Sequence, residues 1–172
     1  MTRIRAGRPE DVPAVLELLD DAVAWLVSLG RTDQWGTRPL SANPRRVALT
    51  EEQARDGELH LAVDGDLVVG VLGVGGATEY VPPAVEPELY VRLLVTRRAY
   101  AAKGVGSFLL DHARRLARER GVGLLRVDCF ASEDRALVGY YERQGFTATD
   151  RFEVTLASGQ VWQGQVLAQR LG

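Results

Sequence analysis

A strand that runs into a turn of small residues and leaves it as a helix sets the frame for this chain. Leu89 to Val95 forms an apolar run, Ala101-Ala102-Lys103-Gly104-Val105-Gly106-Ser107 follows, and Val105, Phe108, Leu109, Ala113, Leu116 and Ala117 then recur at helical spacing. The first amide N–H groups of such a helix have no intrahelical partner, and the positive end of the helix dipole lies among them. Glycines there let an anion approach the main chain. Two phosphate loops are excluded by their own chemistry. Gly104-Val105-Gly106-Ser107 lacks the Lys-Ser/Thr pair of a nucleoside-triphosphate loop, and no third glycine stands near Leu109 as a dinucleotide turn requires. From the residues alone the turn is either an anion cradle or a tight packing turn.

The 172 residues are 46% hydrophobic and 26% charged, enough for one domain with its own core over residues 1–172. A net charge of -2 argues against a broadly basic surface, so nucleic acid is not an expected partner. Cys129 is the only cysteine and cannot form an intrachain disulfide, the N-terminal segment is charged, and no run of about 18 apolar residues could span a bilayer. The expectation is a soluble cytoplasmic protein with no membrane partner. Cys129, inside the apolar run Leu124 to Phe130, is expected as a buried packing thiol. His60 and His112 have no second ligand at metal spacing, so no metal is expected.

Taken in order, Thr2 to Ala6 suits a first strand. Pro9-Glu10-Asp11 starts a helix with Val12, Val15, Leu16, Leu19, Ala22, Val23 and Leu26 as its buried stripe, stopping near Gly30. A second helix is expected within Pro44 to Asp56. Glu58 to Val63 and Leu67 to Gly75, joined by Asp64-Gly65-Asp66, form a hairpin. Ala77 to Pro87, with Pro82 and Pro83, is a loop. In the strand before the glycine turn, Glu88, Tyr90 and Arg92 alternate with Leu89, Val91 and Leu93, which puts a polar triple on one face: either a cleft floor or a solvated edge. After a helix ending at Gly121, Leu124 to Phe130 forms a strand parallel to its predecessor. Phe146 to Thr155 and Val161 to Leu171 close the chain as a hairpin, which offers a surface for a homodimer contact.

The turn resembles the pyrophosphate loop of the GNAT-type N-acetyltransferases, Gln/Arg-x-x-Gly-x-Gly/Ala: Gly104 and Gly106 match, and Ala101 stands where that family usually has Gln or Arg. Tyr141-Glu142-Arg143-Gln144-Gly145-Phe146 resembles a second motif of the superfamily, with Asp134 in place of its usual Asn. The resemblance implies an α+β fold: a mixed, mostly antiparallel sheet of about six or seven strands with a splayed parallel pair in the middle, flanked by about four helices. It implies direct acetyl transfer from acetyl-CoA to the amine of a small-molecule or protein acceptor.

Within that resemblance, Leu93, Leu94 and Val95 offer main chain to the pantetheine arm. Ala101, Ala102, Lys103, Gly104, Val105, Gly106 and Ser107 cradle the phosphates, with Arg97, Arg98 and Lys103 close in sequence to add positive charge, and Asp134 contributes to the cofactor site. Tyr141 hydrogen-bonds the departing sulfur and acts as general acid; its alternative is a core aromatic. Glu88 is the first candidate for general base with Tyr90 beside it, and Asp128, Glu79 or a water chain are the alternatives. Trp25 and Trp35 either wall the acceptor site or anchor a loop. A second class of function stays open, a catalytically silent CoA-binding module in regulation or interaction.

Overall fold

Asp64-Gly65-Asp66 turns the chain between β2 (Leu59–Asp64) and β3 (Leu67–Gly75), with Gly65 at the left-handed φ of 61° that a tight turn needs. The two strands pair antiparallel, Asp64 opposite Leu67 and Leu59 opposite Gly73, and β1 (Thr2–Ala6) adds antiparallel to β2. These are residues 1–172 of a computed structural model. β4 (Glu88–Thr96) neighbours β3. Gly73 abuts Leu93, and the Arg97 amide donates to the Val69 carbonyl at 2.7 Å, so this pair is antiparallel as well.

The chain leaves β4 through α3 (Val105–Glu119) and returns as β5 (Leu124–Phe130), parallel to β4, as a crossover helix requires. The short α4 (Ala136–Arg143) leads to β6 (Thr147–Thr155) and β7 (Val161–Arg170), an antiparallel hairpin whose second strand pairs along β5. The result is a seven-stranded mixed sheet in the order β1-β2-β3-β4-β5-β7-β6.

Contacts divide the chain into two compact units, Met1–Val74 with Leu93–Asp111, and Gly75–Arg92 with His112–Gly172. In the first, α1 (Val12–Ser28) and α2 (Pro44–Arg55) join the strands in one core. Val15, Leu18 and Leu19 of α1 meet Leu59, Leu61 and Val71 of the hairpin and Leu93 and Val95 of β4 there. Burying each such side chain contributes roughly 1.5–3 kcal/mol. α2 starts as its sequence dictates, the Asn43 side chain accepting from the Arg45 amide at 3.0 Å with Pro44 behind it.

The first helix begins later than the sequence suggests. Pro9–Asp11 is a 3-10 turn, because the Asp11 carboxylate accepts the Arg8 amide and both terminal nitrogens of the Arg5 guanidinium. Its buried stripe carries Leu18 where periodicity gave Leu16, which is only partly covered.

The second unit is built on β5 and the β6–β7 hairpin. Val81, from the proline-containing loop, packs with Tyr90 and Val166, and Phe152 covers them. Arg114 of α3 ties the hairpin to α4, donating to the Gln169 side chain at 2.7 Å and to the Gln144 carbonyl at 2.6 Å.

Candidate active site

The glycine turn takes the conformation its residues predict. Arg98–Lys103 winds as 3-10 turns, Gly104 adopts a φ of 75°, and α3 starts at Val105. The Phe108 amide donates to the Gly104 carbonyl at 3.0 Å as the helix closes its first turn. The Val105 and Gly106 amides precede that bond and lie among the orphan donors of a helix start. The turn sits close to the sheet, since a Cβ on Gly70 of β3 would stand 2.8 Å from Val105 Cγ1 and 2.9 Å from Leu109 Cδ1. Beside it opens a hollow of about 320 Å³ lined by Thr2, Lys103, Gly104, Val105 and Phe108. Phe108, placed on the buried stripe by periodicity, is 41% exposed here, whereas Leu110, left out of that stripe, is fully buried. Left-handed glycine, orphan amides and open space at one helix start fit a phosphate-bearing ligand.

The neighbouring arginines are occupied elsewhere. Arg97 donates to the Val68 carbonyl at 3.0 Å and lies 3.9 Å and 3.7 Å from the Glu17 and Asp21 carboxylates of α1, while Arg98 stacks on the Trp25 ring at 3.7 Å. Lys103 leans over the Tyr100 ring within the turn itself. Ala101 and Ala102 are exposed and contribute main chain alone. Trp35 packs on the first unit's core.

β4 continues past its parallel partner. The register with β5 runs from Glu88 opposite Leu124 to Val91 opposite Val127, and then β4 goes on to Thr96 and β5 to Phe130. Leu93 and Val95 are buried and Leu94 is partly covered.

The polar face of β4 is neither a bare floor nor a solvated edge. Tyr90 is fully buried and Glu88 nearly so; only Arg92 is exposed. Both Glu88 oxygens accept from the Arg126 guanidinium, Oε1 from Nη2 at 2.9 Å and Oε2 from Nε, and Nη1 of the same group donates to the Pro82 carbonyl at 2.9 Å. Parallel register sets this pairing, because Tyr90 lies opposite Arg126 and places Glu88, Tyr90, Arg126 and Asp128 together. The Tyr90 hydroxyl donates to Asp128 Oδ2 at 2.5 Å. Burial pushes the Asp128 carboxyl above its ordinary range, against the lowering effects of the Tyr90 hydrogen bond and the Arg126 charge. Glu79, the third candidate base, is exposed in the loop after β3.

Tyr141, on α4, is buried with its ring edge-on to Tyr140 and Phe146 at centroid distances of 5.2 and 5.8 Å. Burial first, then Cys129, Tyr140 and Asp128, drive its phenol far above the ordinary range, so it remains protonated at neutral pH. No hydrogen bond within the protein holds its hydroxyl. The Cys129 thiol is buried and pushed up to about 12 by desolvation and then by Asp128, which makes it a packing group. Asp134 is exposed, and its Oδ1 accepts from the Ser132 hydroxyl at 2.6 Å and the Ala136 amide at 3.1 Å. That capping orders the entry to α4, where Arg135 takes a φ of 53°. His112 contacts Arg115, and no group of three or more His, Cys, Asp or Glu side chains gathers in metal-binding geometry.

Sequence reasoning missed Arg126, which pairs with Glu88. Its signal was present in the run Leu124 to Phe130, where two charged residues, Arg126 and Asp128, alternate through an otherwise apolar strand.

An α+β chain with a mixed sheet, its central parallel pair bridged by a helix that opens on a left-handed glycine turn, is the class these elements define. Residues 19–146 match the model of the Acetyltransferase (GNAT) family. The chain belongs to that family, which makes it an acyltransferase. A GNAT family acetyltransferase from Listeria monocytogenes 4b F2365 superposes with a TM-score of 0.74 at 20% identity, covering 99% of this chain and 95% of the other. yncA from Salmonella typhimurium, solved with its cofactor acetyl-CoA, gives 0.69 at 20% identity over 99% and 94%. The ribosomal-protein-alanine N-acetyltransferase from Brucella melitensis gives 0.71 at 23% identity over 98% and 99%. At these identities the likeness is one of fold. No curated protein matches the chain.

Proposed function

We propose that this protein transfers the acetyl group of acetyl-CoA directly to a primary amine of a small-molecule or protein acceptor. The observation that carries this reading is the turn at Gly104, a left-handed glycine that hands the chain into α3, with Gly104 and Val105 lining an open hollow. Phosphate affinity there rests on the main chain, which Ala101 supplies as well as an arginine would, and on Lys103. The main chain of Leu93, Leu94 and Val95, on the stretch of β4 beyond its parallel ladder, is the complement to an extended pantetheine arm. Acetyl-CoA supplies the activated acyl group when bound. The remaining work belongs to this chain: placing the amine, accepting its proton, and offering a proton to the departing sulfur.

Tyr141 takes the last of these roles. Its hydroxyl has no protein partner, and its raised pKa keeps the proton in place for donation in a hydrogen bond to the thiolate. Asp134 serves the site by shaping the loop into α4. We place the protein in the cytoplasm, in keeping with a lone, buried cysteine and with the absence of any helix long and apolar enough to cross a membrane.

Thermal unfolding with acetyl-CoA, CoA, ATP and NAD in parallel tests the cofactor. Either CoA species at about 100 times its Kd adds roughly 2.7 kcal/mol and raises Tm by several degrees. Equal shifts with ATP or NAD, or none at all, would refute the assignment. A panel of amino acids, polyamines, aminoglycosides and short peptides, followed by thiol release from acetyl-CoA, then separates an enzyme from a silent CoA-binding module.

A further inference from the structure

We propose that Asp128, with Tyr90 as its positioning residue, takes the proton from the acceptor's ammonium, the role for which sequence alone put Glu88 first. This deepens the acetyltransferase reading and rests on it. Three observations carry it.

First, Glu88 is fully engaged. Both of its oxygens accept from Arg126, and the third arm of that guanidinium is bound to the Pro82 carbonyl, so the two charges serve each other. Second, Asp128 is half-engaged. Oδ2 accepts from Tyr90, while Oδ1 makes no hydrogen bond within the protein. With Arg126 turned to Glu88, the carboxylate has no ion-pair partner of its own. Third, its position is unlike that of its neighbours. Asp128 is the one residue of Leu124–Phe130 that is only partly buried, and it stands one step past the end of the parallel ladder at Val127. A partly buried carboxylate fixed through one oxygen, with the other unbonded within the protein and no direct ion pair, matches an incoming ammonium.

The titratable and charged groups around Asp128 are Tyr90 on β4, which donates to it, Arg126 on β5, whose charge favours its ionised form, and Cys129 on β5 and Tyr141 on α4, on which its own charge acts. Glu88 is coupled to it only through Tyr90 and Arg126, and Val166 lies opposite it on β7. The ammonium gives one proton to Oδ1, which frees the nitrogen lone pair. Nitrogen bonds to the thioester carbonyl carbon, the C–S bond breaks, and sulfur leaves with the electron pair. The nitrogen's second proton departs as the amide forms, one proton reaches the thiolate, and one is released to solvent per acetyl group transferred. Asp128 must be ionised to act, so the rate falls as pH drops through its pKa. The Tyr90 hydrogen bond favours the ionised form, so removing it moves that limb to higher pH.

The test uses the best amine from the panel above, with acetyl-CoA affinity followed by calorimetry. Asp128→Asn should lower kcat about 100-fold or more, erase the acid limb of the pH profile and leave the acetyl-CoA Kd unchanged. Tyr90→Phe should keep much of kcat and shift the acid limb upward. Wild-type kcat and pH profile in both variants overturn the proposal while leaving the acetyltransferase reading intact. A rise in KM alone in Asp128→Asn also overturns it, making the carboxylate an ammonium anchor. If Asp128→Asn does not fold, an unmoved limb in Tyr90→Phe is decisive against the proposal. Failure of every amine despite acetyl-CoA binding sinks both readings together.

Discussion

At the scale of single residues, the buried polar groups of the candidate site have different physical jobs. Glu88 and Arg126 have side chains only 12% and 7% exposed and satisfy each other's hydrogen bonds. Removing one charge leaves the other buried without compensation. Glu88→Gln is therefore expected to lower folding stability by on the order of 3 kcal/mol, read from urea denaturation with an unchanged m-value. Tyr141→Phe is the contrasting case. The hydroxyl makes no bond to the protein, so stability should change by less than about 0.5 kcal/mol, while kcat falls about 100-fold and acetyl-CoA affinity holds. Wild-type turnover in that variant would remove Tyr141 from the chemistry. The alternation of Glu88, Tyr90 and Arg92 was legible in the sequence; that Glu88 is shielded by Arg126 was not. A strand's own period fixes which residues share a face, whereas partners across a parallel ladder depend on a register that only the folded crossover sets.

At the scale of elements, the sequence carried most of what the fold became. Leu67–Gly75 is a strand end to end, α2 fills the window expected for it, and the Asp-Gly turn closes its hairpin. Discrepancies arose where tertiary contacts overrode periodicity. The first helix starts at Val12 because Asp11 is drawn to Arg5, and on α3 Phe108 stands exposed while Leu110, on another side of the helix, is buried. Gly104 supplies an element-scale prediction. Its φ of 75° is strained for a side chain, although no atom lies within 4 Å of a Cβ there. Gly104→Ala should destabilise by about 1–2 kcal/mol from backbone strain alone, and Gly104→Asn by less. Gly70→Ala fails for the opposite reason. Its backbone is ordinary, but its Cβ would press on Val105 and Leu109; a loss of about 1–3 kcal/mol should accompany weaker acetyl-CoA binding as the start of α3 shifts. Chemical denaturation and calorimetry on the same variants measure both effects.

At the scale of the whole molecule, ligand effects should be local in a predictable pattern. Hydrogen exchange with and without acetyl-CoA is expected to slow at Leu93–Val95 and at Val105 and Gly106, and to leave the outer strand β6 unchanged. Uniform slowing across all strands would contradict the assignment of the turn. A kinetic consequence also follows from the contacts of Arg97 and Arg98. With one cation turned to the Glu17 and Asp21 carboxylates and the other laid on the Trp25 ring, the turn presents little free charge to a distant polyanion. Capture then relies on amide dipoles, which act only at close range, and on the single charge of Lys103. Long-range steering, and the steep fall of association rate with ionic strength that accompanies it, should be weak in this enzyme.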